Sequence, residues 1–169
     1  MGSEMCIRDR LINPQLALDI VRCHPLPIAY DTETTGLAVT DRICGHVITN
    51  DEYSIYVPLR HEAGGNVPNA DEFELELASA FKSRSVLGFR TVGHNLGFDL
   101  RIALRHGITL GSPLEDTMIN EAIISDVNQG YSLEECCIRR GVTPKKGAEI
   151  YACLLYTSDA ADDKTSEDL

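Results

Sequence analysis

The segment IAYDTETTGL, residues 28–37, runs from a short apolar stretch straight into two carboxylates one residue apart, Asp31 and Glu33. Two threonines and Gly36 follow them. The apolar run has the length of a central strand. On a strand, residues two apart face the same side, so Asp31 and Glu33 are expected to project together at the strand's end. Like charges held together raise each other's pKa unless a cation neutralises them. Hard divalent ions such as Mg²⁺ or Mn²⁺ take oxygen ligands of this kind. A solvated strand end opening into a turn is the plainer alternative for a bare D-x-E.

Working outward, NPQLALDIVRC reads as a helix with Asn13 as N-cap and Pro14 in its first turn, ended by Pro25 and Pro27. RICGHVITN and YSIYVPL flank Asn50-Asp51-Glu52 as a hairpin. ADEFELELASAFKSR is an amphipathic helix with Phe73, Leu77 and Phe81 on one face. RTVGHN is a second short strand, and GFDLRIALRHG a helix closing on Gly107. LEDTMINEAIIS passes from strand to helix with Asp116 at the junction. YSLEECCIRRG is a last helix, with Ser132 and Glu135 as a capping box and Gly141 at its end. This order predicts an α/β domain with an antiparallel hairpin feeding a mixed sheet.

The 169 residues suffice for one domain with a core. No apolar run approaches the roughly 20 residues of a membrane span. The first residues lack the layout of a secretory signal. Six cysteines without a C-x-x-C pair or zinc-type spacing read as reduced thiols of a cytosolic protein. A formal charge of −11 argues against a broad basic nucleic-acid face. It leaves open a protein that meets phosphates through bound divalent metals.

The segment VGHNLGFDL puts Asp99 on the first turn of a helix that follows a strand. A lone aspartate there is usually a dipole or capping residue. Together with the earlier D-x-E, however, DTETTGL and HNLGFD resemble the first two motifs of the DEDD-type 3′–5′ exonucleases. Over residues 28–147, DRICGHVI, YSIYVPLRHEAGGN and LEDTMI…YSLEECCIRRG resemble the proofreading exonuclease domain of family A DNA polymerases, bacterial or phage. The resemblance implies a ribonuclease H-like fold, with a mixed central sheet flanked by helices. It also implies four carboxylates holding two Mg²⁺ or Mn²⁺ ions at the scissile phosphate. Asp31, Glu33 and Asp99 match three of these as catalytic and metal-binding residues, with Asp31 bridging both ions. Thr34, Leu37 and Asn95 match substrate contacts, Leu37 as an apolar wedge against the terminal base. His94 is read as a buried imidazole holding its loop, and Asp116 as a cap for the helix after it. The implied partner is a single-stranded or frayed DNA 3′ end, with a polymerase domain in a parent protein. The implied location is the cytoplasm of a bacterium or phage-infected host.

The fourth carboxylate of such enzymes belongs to a Tyr-x-x-x-Asp or His-x-x-x-Asp motif. Tyr151 and Tyr156 are followed at that spacing by Leu155 and Ala160, and Asp159 falls at the wrong spacing. The termini bear on this. MCIRDR and CLLYT are encodable by one DNA element read on opposite strands, and the element resembles a sequencing-library adapter. Residues 1–10 and 153–169 are therefore expected to be adapter-derived. Residues 11–152 then form a partial exonuclease domain, cut off before its third motif and poorly active. The alternatives are a ribonuclease D-like RNA-trimming enzyme and a non-catalytic nucleic-acid-binding module on the same fold.

Overall fold

The computed structural model describes residues 12–142 except 39, 62, 63, 112 and 126–129. In chain order the elements are α1 (Pro14–Cys23), β1 (Ile28–Thr34), β2 (Ile43–Thr49), β3 (Ser54–Pro58), α2 (Ala70–Val86), β4 (Thr91–Gly93), α3 (Leu96–Arg105), β5 (Leu114–Asp116), α4 (Thr117–Ile124) and α5 (Leu133–Arg140). The chain divides into two compact units, one up to Ile123 and one from Ile124.

Local signals set the element ends. Asn13 Oδ1 accepts the Leu16 N–H at 3.0 Å, satisfying one orphan donor at the start of α1. Asn50 Oδ1 accepts the Glu52 and Tyr53 N–H groups at 3.1 and 2.7 Å, which closes the β2–β3 hairpin. In the second unit, Ser132 and Glu135 form the expected capping box and Gly141 ends α5 in the left-handed region.

The sheet order is β3-β2-β1-β4-β5. The β1/β2 and β2/β3 pairs are antiparallel, while β1/β4 and β4/β5 are parallel. This is the mixed sheet that the element order implied. Ile28, Tyr30 and Thr32 of β1 are buried, and Asp31 and Glu33 alternate onto the other face. On the buried face Tyr30 meets Phe81 of α2 edge-on, with ring centroids 5.1 Å apart. Ile48, Ile55, Leu77 and Phe81 are fully enclosed.

The buried side of α2 carries two charges that apolar periodicity does not announce. Arg84 is 0% exposed, and its guanidinium donates to the carbonyls of Val21, His24, Leu26 and Arg90. Desolvation lowers its pKa to about 10, so it stays charged at neutral pH. Glu74, 5% exposed, receives Arg60 on both oxygens at 3.1 and 2.7 Å and His106 Nδ1 at 2.9 Å. Burial pushes the Glu74 carboxyl up, but His46, Arg60 and His106 outweigh it and hold the pKa at about 2. The Ile43 N–H donates to His106 Nε2, so that nitrogen is unprotonated and Nδ1–H faces Glu74. Tyr30 Oη sits 2.9 Å from His46 Nδ1, linking β1 to this network.

Among the described residues no helix is long and apolar enough to cross a membrane. Cys23, Cys44, Cys136 and Cys137 are free thiols.

Candidate active site

The end of β1 outruns its parallel neighbour. β4 pairs only with Ile28 and Ala29 and stops at Gly93. The Ile28 N–H donates to Arg90 on the β4 side. By the alternation of a strand, the Thr32 N–H faces the same side, past the end of β4. A buried amide left there requires an acceptor. Asp99 supplies it: its Oδ1 accepts the Thr32 N–H at 2.9 Å and the Thr32 hydroxyl at 2.7 Å. Gly93 permits the tight turn that brings α3 in, because a Cβ there would lie 2.5 Å from Leu96 Cδ1 and 3.2 Å from the Tyr30 carbonyl. Asp99 is thus brought to the strand residue between Asp31 and Glu33.

Asp116 fixes the start of α3. It caps the helix that follows, accepting the Met118 N–H at 2.9 Å, as the sequence led one to expect. It also accepts the N–H groups of Asn95 and Leu96 at 3.0 and 2.8 Å, so one carboxylate serves two helices. Thr117 donates its hydroxyl to the Gly93 carbonyl, which leaves His94 Nδ1 to donate to Thr117 Oγ1 at 2.9 Å. His94 therefore holds the β4–α3 turn. Asn95 sits in the left-handed region at φ 57°, with its side chain exposed and not engaged in capping.

The loop that carries Leu37 is braced from within. Thr34 Oγ1 donates to the Gly36 carbonyl at 2.7 Å, and Asp41 accepts the Ala38 N–H and the Thr35 hydroxyl. Leu37, at the tip, is 87% exposed. A β-bulge interrupts the β1/β2 register between Glu33 and Thr34, with Cys44 as the extra residue.

Negative charge accumulates at this strand end. Burial lifts the pKa of Asp99 to about 6; the Thr32 bonds oppose the rise and the Asp31 charge adds to it. Burial, then Asp99, Glu74 and Asp31, push the Tyr30 phenol well up. Burial and Glu33 raise the Cys44 thiol. A cation placed here would offset the repulsion between Asp31 and Asp99, and the oxygen donors suit a hard divalent ion. The geometry is partial: among the described residues no three His, Cys, Asp or Glu side chains converge closely enough to hold a metal ion together. Asp31 and Asp99 are electrostatic neighbours, and Glu33 lies farther along the same face of β1. Tyr151, Tyr156 and Asp159, and the expected adapter-derived ends, lie outside the described residues.

Residues 15–139 match the family model described as 3′–5′ exonuclease, of the DNA polymerase A type. Among solved structures, the chain is similar to Brucella melitensis NrnC, at 25% identity and TM-score 0.55 over 75% of this chain and 58% of that one. It is also similar to a form of that protein bound to pGG, at 24% identity and TM-score 0.51 over 76% of this chain and 59% of that one. A third similar structure is the Aedes aegypti Nibbler EXO domain, at 11% identity and TM-score 0.55 over 80% of this chain and 68% of that one. No curated protein sequence matches the chain.

Proposed function

This chain belongs to the 3′–5′ exonuclease domain family, and we propose that its β1–α3 site hydrolyses nucleotides from the 3′ end of a nucleic-acid strand with the help of divalent metal. The observation that carries the proposal is the anchoring of Asp99 on Thr32, which gathers acidic side chains from two distant segments at one strand end. Asp31, Glu33 and Asp99 would hold two Mg²⁺ or Mn²⁺ ions, and a solved NrnC structure carries Mg²⁺. Bound metal supplies an activated water and charge stabilisation for the leaving 3′ oxygen. Leu37 offers an apolar surface on which an unpaired terminal base stacks, and Asn95 presents its carboxamide at the start of α3.

For the substrate, the resemblance favours frayed single-stranded DNA, as in proofreading. A second reading is a ribonuclease D-like enzyme that trims RNA ends; the similar NrnC structure holds pGG, a short strand of the kind either reading would bind. Parallel digestion of 5′-labelled DNA and RNA of one sequence separates the two.

The metal site has its own test. Saturating Mn²⁺ should raise Tm by about 5 °C, and Asp31→Ala should remove that rise while leaving the metal-free Tm no lower than the parent's. An unchanged Mn²⁺ response in the variant would remove the carboxylates from the site. With 5′-labelled substrate, products should shorten stepwise from the 3′ end, slowly, given three matched carboxylates. Internal cleavage would overturn the exonuclease reading.

A further inference from the structure

The sheet face that carries Asp31 and Glu33 continues across β2 to β3. Asp31 pairs with Val47, and Val47 with Tyr56; Glu33 pairs with Gly45, and Gly45 with Pro58. Residues paired across strands share a face, so Tyr56 faces the same way as the carboxylates, about 10 Å across the sheet. Its ring does not stay over its own strand. A Cβ on Gly45 would lie 2.5 Å from Tyr56 Cζ, so the outer end of the phenol occupies the space above Gly45, directly beside Glu33. The Tyr56 hydroxyl is hydrogen-bonded to His61 Nε2. The His61 backbone is clamped by Asn66, whose Oδ1 accepts the His61 N–H at 2.7 Å and whose Nδ2 donates to the His61 carbonyl at 2.8 Å. The Leu59 N–H donates to the carbonyl of the bulge residue Cys44 at 2.8 Å, tying this segment to the strand end.

We propose that Tyr56 and His61 form a subsite for the sugar–phosphate of the nucleotide preceding the one removed. The inference rests on the exonuclease reading of the β1–α3 site. A phosphate drawn to a strongly acidic strand end needs a donor that carries no negative charge; the phenol and the imidazole hold two such protons between them, and their mutual hydrogen bond uses only one. Both side chains are half-buried and fixed by neighbours, so little ordering entropy is lost on contact. A glycine at position 45 and a two-point clamp on His61 hold the pair beside Glu33.

The test is anisotropy of a short 5′-fluorescein-labelled single strand, with Ca²⁺ replacing Mg²⁺ to suppress cleavage. Tyr56→Phe and His61→Ala should each weaken Kd about tenfold, and His61→Gln, which keeps a donor, should recover part of the loss. A nucleoside 5′-monophosphate, too short to reach the pair, should bind all variants equally, and the Mn²⁺ rise in Tm should persist. Oligonucleotide affinity unchanged in both variants would overturn the subsite. So would parallel loss of mononucleotide binding and the metal response, which marks a purely structural role. Failure of the unmodified chain to bind the labelled strand would overturn the exonuclease reading, and the subsite with it.

Discussion

Arg84→Leu should destabilise the chain by about 4 kcal/mol, read as the change in urea unfolding free energy. The guanidinium is sealed from solvent and donates to carbonyls in α1, the α1–β1 connection and the residue before β4. Leucine fills part of the volume but offers no donor. Each buried carbonyl left unsatisfied costs about 1–3 kcal/mol, with some relief where water enters. Arg84→Lys should lose about half as much, because an ammonium keeps the charge without the fork that reaches several acceptors at once. A loss below about 1 kcal/mol for the leucine variant would mean that these carbonyls find other donors.

Asp99→Asn should have the opposite sign. A carboxyl raised from 3.8 to about 6 makes the folded, ionised chain less stable by about 3 kcal/mol once pH exceeds 6. The penalty vanishes below about pH 4, where the carboxyl is protonated in both folded and unfolded chains. Asparagine keeps an oxygen for the Thr32 N–H and hydroxyl and removes the charge facing Asp31. Metal-free stability at about pH 7.5 should therefore rise by about 3 kcal/mol, with no gain at pH 4. Saturating Mn²⁺ should narrow the gap, since only the carboxylate gains from a cation. Urea titrations at both pH values, with chelator and then with Mn²⁺, read all of this. A variant less stable than the parent at about pH 7.5 would show that Asp99 is not under electrostatic load. The same substitution should abolish metal-dependent cleavage, so stability and activity separate at one residue.

Much of this was readable before any coordinates. Asn13, Asn50, Ser132 with Glu135, and Gly107 act within a few residues of their own positions, and such signals survive in one dimension. The alternation of β1 also fixed which residues would share the face with Asp31. The unread features all depend on partners far along the chain. Apolar periodicity marks Phe73, Leu77 and Phe81 of α2, but is blind to Glu74 and Arg84, whose burial is offset by groups from β2, the segment after β3 and the end of α3 for the first, and from α1, the α1–β1 connection and the residue before β4 for the second. Thr32 gave no sign that its amide would outlast β4 and need Asp99. Asp116 was legible as a cap for α4, but its service to α3 required the parallel pairing of β4 with β5. Tyr56 reads in one dimension as one more strand aromatic; its register partner is Val47, and only the lean of its ring puts the phenol over Gly45.

The shared carboxylate of Asp116 makes the starts of α3 and α4 a single mechanical joint. Tension on α4 passes through three N–H···O contacts into the turn that presents Asp99, with no intervening loop to absorb it. The position of α4 and the turn that presents Asp99 are therefore set by one side chain, Asp116.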